Sequence, residues 1–246
     1  MNKTSQYALT VIVPVYNEED NMKALEERLG AWLPTSPVKA CVLFVDDGSS
    51  DASLARIKEI CGRHDDMLYI AFARNCGLSA AIKAGIDTSE SEYVGYIDAD
   101  LQTDPQDFNI LIPHLKEHEL VMGIRANRKD TGWKRFQSKF ANGFRRMMTG
   151  DKATDTGCPL KVMRTANARR VPFVKGMHRF LPALFGLQGC SVMEMPVRHY
   201  PRVAGVSKFS MSNRLIGPLQ DCFAFRWMRS RWFNYAINES DLNASE

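Results

Sequence analysis

Three short acidic segments carry the residue types that chemistry needs. In Tyr96-Ile-Asp-Ala-Asp-Leu-Gln102 two carboxylates stand one residue apart. In an extended chain alternate side chains share a face, so Asp98 and Asp100 can address one ligand. With the Gln102 amide oxygen they make an oxygen-rich site of the kind Mg2+ or Mn2+ prefers, completed by substrate phosphates. In Phe44-Val-Asp-Asp-Gly-Ser-Ser-Asp51, Asp47, with Asp46 beside it, can accept from a base N–H or a ribose hydroxyl. Gly48 there permits a tight turn, and Ser49, Ser50 or Asp51 can cap a following helix. In Val13-Pro-Val-Tyr-Asn-Glu18, Tyr16 can stack on a base, while Glu18 accepts from ribose or caps its own helix. Each segment alone also reads as an ordinary polar turn after a strand. Three of them along one crevice say more than any one.

The surrounding pattern supplies that crevice. Thr10–Val15, Ala40–Val45, Met67–Ala73, Tyr93–Ile97 and Val121–Ile124 are short apolar, β-branched runs that read as strands. Between them Glu18–Trp32, Ala52–Ile60, Leu78–Ile86 and Pro105–Leu115 have helical spacing. Repeated β–α units predict an α/β fold with a mostly parallel central sheet flanked by helices. Ligands of such sheets bind beyond the carboxyl ends of the strands, where all three acidic segments fall. The second half is less regular. Arg125–Gly132 reads as a basic loop, Lys134–Met148 as a helix and Gly176–Leu187 as an interrupted apolar stretch. Ser191–Arg198 alternates like a strand, Arg202–Lys208 is a second basic loop, and Pro218–Ile237 reads as an aromatic, basic terminal helix before a polar tail.

Charge divides the chain. Residues 1–120 carry a net −10 and residues 121–246 a net +14, hidden in an overall +4. The second half therefore faces something anionic: nucleic acid, a membrane or a phosphorylated substrate. With 45% hydrophobic and 24% charged residues the chain is globular and can bury a sizeable core. The longest charge-free stretches, Thr4–Asn17 and Phe180–Met193, are 14 residues each, below the roughly 20 a membrane span needs. The opening Met-Asn-Lys runs into a strand-like segment without a secretory leader pattern, and the six scattered cysteines fit no zinc spacing. Reduced, mostly buried thiols in a cytoplasmic protein are the expectation.

The set VPVYNEE, FVDDGSSD, ARNCGLSAAIKAGID and YIDADLQTDP closely resembles glycosyltransferase family 2, with its GT-A nucleotide-sugar-binding fold. Gly123-Ile-Arg125, Gly132-Trp-Lys-Arg135, Asp155-Thr-Gly157 and Arg202-Val-Ala-Gly-Val-Ser-Lys208 bring the resemblance to the polyprenyl-phosphate glycosyltransferases, the dolichyl-phosphate mannose synthase-like enzymes. It covers roughly residues 8–215. The resemblance implies inverting, metal-dependent transfer of a sugar from a UDP- or GDP-sugar to a polyprenyl phosphate. It puts Pro14, Tyr16, Glu18, Asp46 and Asp47 at the nucleoside, with Arg74 and Asn75 near the donor. Asp98, Asp100 and Gln102 serve metal and diphosphate; Arg125, Arg135, Arg202 and Lys208 contact the donor diphosphate or the acceptor phosphate. Asp155 lies beside the acceptor, with a turn or cap role as its alternative. Asp98, Asp100, Arg135 and Asp155 are the expected catalytic residues, and Lys161 and Pro159 depart from the apolar residues more familiar after such an Asp-Thr-Gly.

Expected organisation is a glycosyltransferase domain over 1–215, divided into a nucleotide-sugar half (1–124) and an acceptor half (125–215), then a helix and tail over 216–246. Many transferases of this type carry transmembrane helices beyond the region around Arg214; none is expected within this sequence. Phe223, Phe225, Trp227, Trp232, Phe233 and Tyr235, interleaved with Arg226, Arg229 and Arg231, suit a membrane surface on the cytoplasmic side. Packing on the domain or a homo-oligomer interface is the alternative, and a separate membrane-protein partner follows from the missing spans. The competing enzyme is a family 2 transferase acting on a saccharide hydroxyl, but the Q-x-x-R-W element of processive synthases is absent. No nucleic-acid motif is present, so nucleic acid is not an expected partner.

Overall fold

The computed structural model describes residues 2–125, 143–200, 211–235 and 238, with side chains omitted for residues 211–216 and 218. Seven strands form one sheet in the order β3-β2-β1-β4-β6-β5-β7. These are β1 (Leu9–Val15), β2 (Ala40–Asp46), β3 (Met67–Ala71), β4 (Tyr93–Tyr96), β5 (Leu120–Arg125), β6 (Lys161–Arg164) and β7 (Val192–Val197). β1 to β4 run parallel, β6 lies antiparallel between β4 and β5, and β7 is parallel to β5. The sheet is thus mostly parallel, as expected.

Every residue of β1 and β2 is buried, the pattern of strands covered on both faces. On one face, α1 (Met22–Trp32) and α2 (Ser53–Arg63) contribute Met22, Leu25, Leu29, Trp32, Ile57 and Ile60 to a core with Val11, Val13 and Phe44. On the other, α3 (Leu78–Thr88) and α7 (Leu181–Leu187) pack Ile82, Ile86, Leu184 and Phe185 against Ile12, Leu43 and Tyr96. Helix α3 approaches β1 closely: a Cβ on Gly85 would lie 2.7 Å from Ile12.

Several expectations need correction. The helix expected over Pro105–Leu115 is broken into a 3-10 turn, α4 (Phe108–Leu111) and a second 3-10 turn, Ile112–Lys116. Pro113, at the start of that second turn, has no N–H and its ring obstructs the preceding turn of an α-helix. Glu18–Trp32 likewise opens with a 3-10 turn before α1 begins at Met22. Strand β6 and the short helix α6 (Thr165–Arg169) were not expected, because a lysine opens the strand and breaks its apolar run. Helix α5, residues 143–149, agrees with the end of the Lys134–Met148 expectation, whose start lies outside the described residues. Of six free cysteines only Cys41, Cys158 and Cys222 are buried; Cys76 is exposed.

The terminal helix α8 spans Met211–Arg231, beginning earlier and ending sooner than expected. Buried Cys222 and Phe225 dock it on the domain, with Phe225 stacked on Phe180 at 5.8 Å. Leu219, Phe223 and Trp227, four residues apart, are 45%, 60% and 65% exposed. The helix therefore has a packed stripe and an open aromatic stripe. Among the described residues no helix is long and apolar enough to cross a membrane.

Candidate active site

The carboxyl ends of β1 and β2 are laced together by side chains acting on backbone. Asn17, in the left-handed region at φ 52°, donates its N–H to Ser49 Oγ at 3.0 Å and accepts from Ser50 N at 2.7 Å. Glu18 N donates to Ser53 Oγ at 2.8 Å, and Glu18 Oε2 accepts from Asn21 Nδ2 at 2.7 Å. Asp51 Oδ1 accepts from Ser53 N at 2.9 Å, but the N-cap of α2 is Ala52 and no side chain caps it, so none of Ser49, Ser50 and Asp51 is the expected cap. The β1 and β2 turns, which carry Pro14, Tyr16, Glu18, Asp46 and Asp47, are therefore one connected piece.

Asp47 is buried, and its carboxylate latches the next loop. It accepts from Asn75 Nδ2 at 2.9 Å, Cys76 N at 2.7 Å and Gly77 N at 2.8 Å. Gly48 sits at φ 68°, where a Cβ would meet the Arg74 carbonyl carbon at 2.4 Å. Only glycine lets the Arg74–Gly77 loop close down here. Asp47, Arg74 and Asn75 are thus brought together, with Arg74 exposed at the rim. Asp46 is buried beside them; its Oδ2 accepts from Ser49 N at 3.2 Å, and its Oδ1 has no hydrogen-bond partner among the described residues.

At the end of β4 the backbone continues the ladder for one residue, Ile97 N donating to Ile12 O at 3.1 Å. Ile97, Ala99 and Leu101 are buried while Asp98, Asp100 and Gln102 are half-buried, so the alternation inferred for the acidic pair outlasts the strand. Leu101 lies at φ 60°, a conformation costing a non-glycine residue about 1–2 kcal/mol. The surroundings hold it there. Arg28 of α1 donates to Leu101 O at 3.2 Å, Tyr200 N donates to Gln102 O at 2.9 Å, and Gln102 N donates to Asp100 Oδ1 at 3.1 Å. Below the turn, Arg198 is clamped to buried Asp107, with Nε to Oδ1 at 2.9 Å and its N–H to Oδ2 at 2.7 Å. Among the described residues no group of three or more His, Cys, Asp or Glu could hold a metal by itself. Two carboxylates and an amide fit a Mg2+ or Mn2+ ion that takes its remaining oxygens from a bound diphosphate and water.

On the far side of β4, Arg125 ends β5 and meets Asp155. Nε and Nη2 donate to Oδ2 and Oδ1 at 2.8 and 2.7 Å, and the Arg125 N–H adds a third bond to Oδ2 at 3.0 Å. The two side chains are only 18% and 11% exposed. A Cβ on Gly157 would press to 2.9 Å from Arg125 Nη2, so the Asp-Thr-Gly spacing leaves room for the guanidinium. Glu194 of β7 anchors this loop by accepting from Thr154 N at 2.8 Å. Asp98 lies within electrostatic reach of Arg125. The acceptor-side residues Arg135, Arg202 and Lys208 lie outside the described residues. Sequence reading missed the supports Arg28, Asp107, Arg198 and Glu194; each acts over a sequence separation that local patterns do not carry.

Comparison with known proteins places these features in a family. The model of Glycosyl transferase family 2 matches residues 10–172. Dodecaprenyl-phosphate galacturonate synthase of Rhizobium johnstonii is 37% identical over 83% of this chain and 62% of its own length. Undecaprenyl-phosphate 4-deoxy-4-formamido-L-arabinose transferase of Edwardsiella ictaluri is 31% identical over 89% and 67%, respectively. The chain thus spans about two thirds of the length of these relatives. Among solved structures, glucosyl-3-phosphoglycerate synthase of Mycobacterium tuberculosis, in complex with Mn2+, UDP and glucosyl-3-phosphoglycerate, aligns with TM-score 0.67 at 13% identity, covering 94% of this chain and 83% of that one. A mannosyltransferase of Pyrobaculum calidifontis in complex with GDP-Man and Mn2+ aligns with TM-score 0.64 at 14% identity, covering 96% and 67%. At such identities the likeness shows the fold, which is GT-A.

Proposed function

The chain belongs to glycosyltransferase family 2, and we propose that it transfers a sugar, with inversion, from a nucleoside-diphosphate sugar to a polyprenyl phosphate. The observation that carries this reading is that the Asp98–Asp100–Gln102 turn follows β4 and the Arg125–Asp155 pair closes β5 at the same end of the sheet. Kinship supports it, since the relatives' names specify dodecaprenyl- and undecaprenyl-phosphate products or acceptors. UDP is the nucleotide we favour, with GDP second.

In this reading the nucleoside lies over the joined β1 and β2 turns, against Pro14, Tyr16, Glu18 and the Asp46–Asp47 end. Arg74 and Asn75, held by Asp47, border the donor. Asp98, Asp100 and Gln102 would hold the divalent ion, which supplies positive charge to the leaving diphosphate. Arg125 adds fixed positive charge there, and Asp155 keeps its guanidinium in one orientation. A phosphate monoester acceptor is already ionised, so its oxygen attacks without a strong base. That relieves Asp155 of proton transfer and leaves Arg135, Arg202 and Lys208 to grip the nucleophile. The exposed Leu219–Phe223–Trp227 stripe of α8, with Arg226 and Arg231 exposed beside it, is the face we assign to an anionic membrane surface.

A transfer assay tests this. UDP- and GDP-sugars labelled in the sugar are offered with undecaprenyl phosphate, with and without Mg2+ or Mn2+. Label should enter a chloroform-soluble product, be lost with Asp100→Ala and fall strongly with Lys208→Ala. Robust metal-free transfer, or label on a free glycan alone, would overturn the reading.

A further inference from the structure

Lys161 is fully buried at the first position of β6, between Tyr96 of β4 and Met122 of β5. Its Nζ donates to Tyr96 Oη at 3.1 Å, to Thr156 O at 3.3 Å and to Cys158 O. It also lies 5.1 Å from the centroid of the Tyr96 ring. A buried ammonium costs several kcal/mol unless its protons are satisfied, and an apolar residue would fill a sheet interior without that cost. Here the three acceptors belong to two different arms of the active site. Tyr96 stands two residues before Asp98, and Thr156 and Cys158 follow Asp155, the carboxylate that holds Arg125. The backbone holds the same loop in place: Tyr96 pairs with Lys161 across β4 and β6, Gly123 N donates to Leu160 O at 2.8 Å, and Cys158 N closes a local turn onto Asp155 O at 3.1 Å.

We propose that Lys161 is a positioning residue that ties the acidic turn after β4 to the Arg125–Asp155 pair, fixing the spacing between the metal-side carboxylates and the cation that meets the leaving diphosphate. This role rests on the transfer reaction proposed above. Lys161 is fully buried and its ammonium is bonded to the tyrosine and the loop carbonyls, so it acts through them. Removing its charge should therefore damage turnover while leaving the nucleoside end of the cleft, built on β1 and β2, intact.

Lys161→Met keeps the volume and removes the donor. In the full chain, hydrogen exchange should quicken by about tenfold or more at the amides of Gly123, Arg125 and Cys158, and stay unchanged in β1 to β3. Transfer to undecaprenyl phosphate should lose about 30-fold or more in kcat with the donor KM within about threefold. Tyr96→Phe, which removes one acceptor and leaves the two carbonyls, should show the same pattern at about a tenth of that loss or less. Unchanged exchange at the three amides would overturn the proposal, as would equal losses in kcat and donor affinity. Should the wild-type chain transfer no sugar to lipid phosphate, the reaction assignment fails on its own. The exchange pattern then decides the role of Lys161 by itself, protection lost at those amides alone supporting it.

Discussion

Asp155→Asn tests the electrostatic heart of the site. The carboxylate accepts three bonds from Arg125, two from the guanidinium and one from its N–H. Removing one partner of a fully buried pair costs about 3–5 kcal/mol, chiefly by stranding the other charge. The side chains here keep 18% and 11% of their exposure, and asparagine retains one acceptor, so about 2 kcal/mol is expected. In a chain of 246 residues this lowers Tm by about 4–8 °C. The guanidinium loses its fixed aim, and kcat should fall about 100-fold, the scale of losing one preorganised donor to developing charge. Scanning calorimetry and steady-state transfer kinetics on Asp155→Asn, Arg125→Met and the double variant measure both effects. The double variant should be about as stable as Arg125→Met alone, giving a coupling of about 2 kcal/mol. Additive losses, or an Asp155→Asn enzyme with wild-type kcat, would refute the pairing as the source of Arg125's orientation.

Gly48→Ala should cost at least about 1 kcal/mol, because the backbone is left-handed there and the new methyl meets the Arg74 backbone; an unchanged Tm would contradict this. Asp47→Ala frees the Asn75–Gly77 loop from three acceptor contacts and should raise the donor KM by about tenfold or more with a smaller change in kcat, checked by initial rates. Burial pushes Lys161 down to about 8, against the opposing pull of Cys158, Asp155 and Asp98 and with a smaller push from Arg125. Its unfolded value is about 10.4, so between those values the unfolded chain binds the extra proton and stability rises with pH. Wild type should therefore gain on Lys161→Met by an amount of order 3 kcal/mol from about pH 8 to 10.4, read as the difference in unfolding free energy; a flat difference would contradict a buried, titrating Lys161.

Local pattern revealed the parallel half of the sheet because each of its strands is a short apolar run closed by a turn. The acidic strand ends were legible for the same reason, their side-chain types standing at the positions where ligands bind. The antiparallel strand β6 was hidden by Lys161, whose burial depends on acceptors in the loop before it and on a neighbouring strand. Arg125 and Asp155 were each singled out, but their pairing across 30 residues belongs to the folded chain alone. Asp47 shows another limit. Its residue type suited a ligand acceptor, and in the structure its oxygens hold the Asn75–Gly77 loop. The docked side of helix α8 was not legible because arginines and aromatics share its surface; among its described residues, buried Cys222 and Phe225 and partly buried Met228 pack on the domain.

The chemical fate of the acceptor phosphorus reveals whether the sugar is delivered to the lipid phosphate. With a UDP- or GDP-sugar, undecaprenyl phosphate and Mn2+, 31P NMR follows the lipid phosphate while the anomeric proton of the product is read in parallel. The monoester resonance should be replaced by a phosphodiester, with one nucleoside diphosphate released per sugar and the anomeric configuration inverted. A monoester that persists while the sugar appears on a saccharide hydroxyl, or a product with retained configuration, would contradict it.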